Sequence, residues 1–148
     1  MRAFIIFFLV ALGTFMIDYN IKLLFVEGYY RAGSCIDLSL HYNTGVAFSF
    51  FAFLGENLKW IQAFFIVILL YMLLKEKYLL SSPFPVGLLI GGAIGNLYDR
   101  FTYTGVVDYI AWHCGFNFAV FNFADVAIDM AVLWLGISYW LEQKRLKV

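Results

Sequence analysis

Four apolar runs, with polar side chains gathered near their ends, divide the 148-residue chain: residues 3–25, 58–74, 84–98 and 119–140. A helix crossing a bilayer needs about 20 predominantly apolar residues, so the second and third runs must borrow flanking residues or be shielded by protein. Between the first two runs, Ile36, Leu38, Leu40 and Tyr42 alternate with Asp37, Ser39 and His41, the period of a half-buried strand. Phe48, Phe50, Phe51, Phe53 and Trp60 follow, which suits a segment lying in the membrane interface. This aromatic stretch reads equally as a lid over the outer surface or as an anchoring belt. The pattern predicts an all-α membrane protein: four transmembrane helices, a small β-type platform and an interfacial segment, in one domain over residues 1–148.

Composition supports the membrane class. The chain is 64% hydrophobic, 21% aromatic and only 14% charged, too few polar side chains to cover a soluble domain of this length. Ten basic and ten acidic residues cancel, which leaves no net field to attract nucleic acid. Arg2, Lys75, Lys77, Lys144, Arg145 and Lys147 fall at the two termini and the middle connection, which share one side if there are four spans. The positive-inside rule makes that side cytoplasmic and puts loops 26–57 and 99–118 outside. Arg2, the apolar run and the small residues Ala11 and Gly13 also resemble a cleavable leader. Cleavage would leave three spans and spoil the charge pattern, so a retained helix is expected.

Two aspartates stand out in so apolar a chain: Asp108, in Val106-Val107-Asp108-Tyr109-Ile110, and Asp125, in Phe121-Asn122-Phe123-Ala124-Asp125. A charge at the centre of a membrane helix costs roughly 2.5–3.5 kcal/mol, so such residues usually have a task. Two carboxyls meeting in a dry pocket form an acid/base couple. Other polar residues gather at the same outer level. Asp18 and Lys22, one helical turn apart, can pair. Asn43 opens Asn43-Thr44-Gly45-Val46-Ala47-Phe48-Ser49, Asn96, Asp99 and Arg100 close the third span, and Asn122 opens the fourth. Arg100 can pair with Asp99 or hold a substrate carbonyl or phosphate with its fork of donors. Asp129, one turn deeper than Asp125 on the same face, reads as its partner, as a proton relay or as a buried neutral acid. Gly91 and Gly95 have the spacing that lets two membrane helices touch.

Other chemistry is poorly supported. Two histidines, His41 and His113, and no His-Glu-x-x-His motif leave a zinc site without ligands. No Gly-x-Ser-x-Gly elbow is present. Cys35 and Cys114 both lie outside the expected spans, and the sequence leaves open whether they pair. Intramembrane acids also serve proton transport, and the aromatic loops suit a non-catalytic scaffold for lipidated chains. Polar residues clustered at one face, in a chain too short for paired transporter repeats, favour an enzyme.

The blocks around Asp18 and Lys22, Asn43–Ser49, Gly91-Gly92-Ala93-Ile94-Gly95-Asn96-Leu97-Tyr98-Asp99-Arg100, Asp108 and Asp125 occur together in this order. The chain thereby resembles, over essentially its whole length, the lipoprotein signal peptidases (signal peptidase II), bacterial membrane aspartyl proteases. The resemblance implies that Asp108 and Asp125 are catalytic. It implies that Asn43, Gly45, Asn96, Arg100 and Asn122 bind substrate, and that Asp18, Lys22 and Asp99 support the site. The implied substrate is a prolipoprotein bearing a diacylglyceryl-cysteine, cut just before that cysteine. No metal or cofactor is implied. The expected setting is the bacterial cytoplasmic (inner) membrane, with both termini cytoplasmic, the active site toward the outer face, membrane lipids around it and a monomeric enzyme. Asp129 and Tyr98 depart from the family pattern.

Overall fold

The computed structural model describes residues 1–45 and 54–146. Its elements are α1 (Arg2–Val26), β1 (Ile36–Asn43), α2 (Asn57–Lys75), α3 (Tyr78–Ser81), α4 (Pro83–Thr102), β2 (Val106–Trp112) and α5 (Phe123–Arg145). The third apolar run extends to Thr102, so Asp99 and Arg100 lie within its last helical turn. The fourth begins at Phe123 rather than 119 and continues to Arg145. Its shift follows from Asn122, whose side chain caps the helix and fixes its first turn. The aromatic stretch Phe48–Phe53, expected as a lid or an anchoring belt, and the block Val46–Ser49 fall outside the described residues.

Among the described residues three helices, α1, α2 and α5, are long and apolar enough to cross a membrane, and only 11–17% of their most apolar stretches is buried within the molecule. Phe4, Phe8, Phe64, Val67, Leu133 and Ile137 all lie open on their outer faces. In water such surfaces would collapse, whereas in lipid tails they are at home. α4 differs: half of its 20 residues are buried, Asn96 and Asp99 among them. It is the inner helix, packed against α1 on one side and α5 on the other.

Glycines allow that approach. A Cβ at Gly91 would lie 2.5 Å from the Ala11 carbonyl oxygen, and one at Gly87 2.8 Å from the Val10 side chain. A Cβ at Gly92 would lie 2.8 Å from the Ala124 carbonyl oxygen, on the α5 side. Lipid gives helices no hydrophobic drive to associate, so close backbone packing takes over that role. An apolar cluster of Leu73, Leu79, Val86, Leu89, Ile90 and Ala131 closes the end of the bundle away from the sheet.

The strands β1 and β2 pair antiparallel at the other end. Ile36 faces Trp112 and Leu38 faces Ile110, but His41 faces Asp108 and Asn43 faces Val106, so one extra residue is accommodated between Leu38 and His41. This bulge interrupts the continuous alternation expected for residues 36–42, because it reverses which residues of β1 share a face of the sheet. Cys35 and Cys114 form a disulfide at the start of β1 and just beyond β2. Beside it His113 Nε2 lies 3.5 Å from Asp37 Oδ1.

Candidate active site

The site is built on an inward polar stripe of α1. The buried residues of that helix are Thr14, Asp18, Lys22 and Phe25, spaced to fall on one face. Lys22 uses all three donors of its ammonium group. Its Nζ lies 2.7 Å from Asp18 Oδ2, 2.7 Å from Asp99 Oδ2 and 2.8 Å from Asn96 Oδ1. Asp99 therefore pairs with Lys22, not with its neighbour Arg100. The two carboxylates pass the restraint onward. Asp18 Oδ1 accepts from the backbone N–H of Ala124 at 3.0 Å, and Asp99 Oδ2 accepts from that of Val107 at 3.1 Å. One ion cluster thus ties α1 to the start of α5 and to β2, the two elements that carry Asp125 and Asp108.

The first turn of α5 is anchored one N–H at a time, as an apolar setting demands of a helix end. Phe123 N–H donates to the Tyr109 hydroxyl at 3.0 Å, Ala124 N–H to Asp18, and Asp125 N–H to Asn122 Oδ1 at 2.9 Å. Asp125 Oδ2 accepts from the backbone N–H of Asn122 at 3.1 Å, completing a reciprocal capping box. Asp125 Oδ1 accepts from Asn96 Nδ2 at 2.8 Å. Asn122 also reaches the other acid, donating from Nδ2 to Asp108 Oδ1 at 2.7 Å. A single asparagine therefore positions both aspartates.

Asp108 receives a second hydrogen bond, from Asn43 Nδ2 to its Oδ2 at 3.0 Å. The bulge makes this contact possible. With the register of Ile36–Leu38 continued, Asp108 would oppose Leu40 and Asn43 would point to the other face. With the extra residue, His41 opposes Asp108 and Asn43, two residues on, shares its face. Asn43 Oδ1 accepts from Gly45 N–H at 3.0 Å, and Arg100 Nη2 donates to the Gly45 carbonyl in a short hydrogen bond. Burial, then the charge of Asp125, push the Asp108 carboxyl up to about 6, against the Asn43 and Asn122 hydrogen bonds that favour its anion.

Asp108, Asp125, Asn43, Asn96 and Arg100 line one cavity of about 390 Å³. Asn122 lies fully buried behind it, and Asp18, Lys22 and Asp99 form the support below. The structure joins Asp108, Asp125 and the residues expected to bind substrate or support the site into one connected network. Asp129 lines the same cavity but makes no hydrogen bond or ion pair with Asp125 among the described residues. It is also exposed on the cavity wall, unlike a buried neutral acid. Two contributors escaped the sequence reading. Tyr109 acts through its hydroxyl at the start of α5. Gln62 lines the cavity from α2, and the signal for it was a lone carboxamide within an apolar run. Among the described residues no group of three or more His, Cys, Asp or Glu side chains is placed to hold a metal ion.

Residues 10–141 match the family model described as signal peptidase (SPase) II. The chain belongs to the signal peptidase II family. That membership makes it a bacterial membrane protease acting on signal peptides. A lipoprotein signal peptidase of Sulfurovum sp. (strain NBC37-1) is 70% identical over 140 residues, covering 95% of this chain and 96% of the relative. One from Sulfurimonas denitrificans is 55% identical over 135 residues, covering 90% and 87%. A solved structure described as a bacterial membrane enzyme shares the fold of this signal peptidase II member. Its TM-score is 0.79 at 23% identity, over 94% of this chain and 90% of the other.

Proposed function

We propose that this chain removes the signal peptide from prolipoproteins whose cysteine carries diacylglycerol, cutting just before that cysteine, with Asp108 and Asp125 as the catalytic pair. The observation that carries this reading is the double use of Asn122, whose side chain holds one aspartate and whose backbone N–H holds the other. Relatives that bear the name lipoprotein signal peptidase support the substrate class.

Two carboxyls facing one small cavity cannot both ionise cheaply, so the pair keeps one proton. The carboxylate takes a proton from water as the water oxygen bonds to the scissile carbonyl carbon. The protonated partner gives its proton to the carbonyl oxygen, forming a tetrahedral diol. As the diol collapses, the carbon–nitrogen bond breaks and a proton passes to the leaving amine. The pair ends as it began, with one proton shared. Arg100 Nε, buried and without a hydrogen bond among the described residues, is a free donor for a substrate carbonyl. Asn43, Gly45, Asn96 and Asn122 complete the binding wall, and Asp18, Lys22 and Asp99 hold it in place.

In this reading α4 is a fourth span, its polar end shielded by α1 and α5. The sheet lies at the outer face of the cytoplasmic membrane and both termini lie inside, by the distribution of basic residues. The enzyme works as a monomer among membrane lipids. Purified protein is expected to cleave a diacylglyceryl-modified prolipoprotein and not its unlipidated form. Asp108→Asn and Asp125→Asn should each abolish turnover while the protein stays folded by thermal unfolding. Near-normal turnover in either variant removes that residue from the pair.

A further inference from the structure

The cavity beside the two aspartates continues one helical turn toward the middle of the bundle, where Gln62 of α2 and Asp129 of α5 line it. Gln62 Nε2 donates to the Ala93 carbonyl of α4 at 3.3 Å. A backbone carbonyl only accepts, so this bond fixes which end of the amide faces which way. Gln62 Oε1 is thereby turned aside, buried and without a hydrogen-bond partner among the described residues. An amide oxygen left this way is costly unless a ligand supplies the missing donor. Asp129 likewise has no hydrogen-bond or ion-pair partner among the described residues. Both groups present acceptor oxygens, so the ligand they fit carries N–H donors.

The depth of the two groups identifies those donors. Asn96 and Asp125 are hydrogen-bonded and mark one level of the site. Ala93 precedes Asn96 by three residues on α4, and Asp129 follows Asp125 by four on α5. At about 1.5 Å per residue, Gln62 and Asp129 lie about 4.5–6 Å deeper than the aspartates. A signal peptide keeps its basic start on the cytoplasmic side, so residues before the scissile bond run toward that deeper part. Opening the peptide for cleavage frees backbone N–H groups where little water is at hand, and each needs an acceptor. An extended chain advances about 3.3 Å per residue, which brings the first and second residues before the cut to this level. We propose that Gln62 and Asp129 form an acceptor subsite that binds the backbone N–H groups of the first and second residues before the scissile bond. The inference rests on the peptidase reading above and names how that site grips its unwound substrate.

Synthetic diacylglyceryl-cysteine peptides, each with one backbone amide replaced by an ester, test the subsite with the full-length protein in bicelles. An ester removes the N–H and keeps the chain length. The wild type is expected to lose about tenfold in kcat/KM when the ester replaces the N–H of the first or second residue before the cut, and little at the fifth or sixth. Gln62→Met and Asp129→Leu should lower kcat/KM on the all-amide peptide by a similar factor and no longer distinguish amide from ester. Asp129→Asn keeps an acceptor oxygen and should retain the preference for amide over ester that Asp129→Leu loses. Equal cleavage of the whole ester series by the wild type overturns the subsite, and so does an ester penalty undiminished in both apolar variants. The wild-type series needs no substitution, so a misfolded variant cannot mask the answer. Failure of the wild type to cleave the all-amide lipidated peptide overturns the peptidase reading itself, and the subsite with it.

Discussion

Asn122 is fully buried, and each of its polar groups is committed. Its Oδ1 caps α5, its backbone N–H meets Asp125, and its Nδ2 meets Asp108 and the Asn96 oxygen, the last at 3.1 Å. Lys22 is equally committed, and its loss would leave Asp18 and Asp99 buried without a counter-charge. This fixed setting governs the proton on the aspartates. Burial and the neighbouring Asp125 charge hold Asp108 up to about 6, so the pair keeps its shared proton below that value and sheds it above. With the proton gone, neither carboxyl can protonate the scissile carbonyl oxygen. We expect kcat/KM on a lipidated substrate to fall as pH rises above about 6, approaching tenfold per pH unit on the alkaline limb. A pH–rate profile in bicelles from pH 5 to 9 measures this, and a flat profile would exclude a required proton.

At the scale of elements, α4 holds the site together by approaching α1 and α5 at backbone distance. Gly91→Ala would set a Cβ 2.5 Å from the Ala11 carbonyl oxygen, which belongs to the α1 backbone and cannot swing aside. We expect this change to destabilise the protein by about 1–3 kcal/mol, read as a lower unfolding temperature in detergent. Gly136→Ala, where nothing lies within 4 Å, is the control and should be neutral or mildly stabilising. Much of this architecture was legible in the chain. Scarcity of charge singled out Asp108 and Asp125, and the four-residue spacing of Gly91 and Gly95 pointed to close helix contact. The bulge was not legible, because an alternating pattern does not reveal an added residue until a partner strand is known. The shift of α5 to Phe123 was missed because an apolar run hides its cap, and Gln62 because an isolated amide carries meaning only beside what it faces.

The whole molecule divides into a lipid-facing bundle and a sheet-bearing end, and the two are joined through Lys22 and the start of α5. The covalent link between Cys35 and Cys114, 79 positions apart in sequence, belongs to the second part. Opening it should cost about 2–4 kcal/mol, read as a drop in unfolding temperature after treatment with a thiol reductant or in Cys35→Ser/Cys114→Ser. An unchanged transition would mean that the sheet stands without it. Cytosolic glutathione and thioredoxin keep thiols apart, so a bond of this kind survives only in an oxidising compartment. In the orientation proposed above, the linked cysteines act as a record of delivery: they join once that end of the chain has left the cytosol. On that proposal, a cell that fails to oxidise its exported thiols would hold this protease in a slackened form, tying signal-peptide removal to the redox state of the envelope.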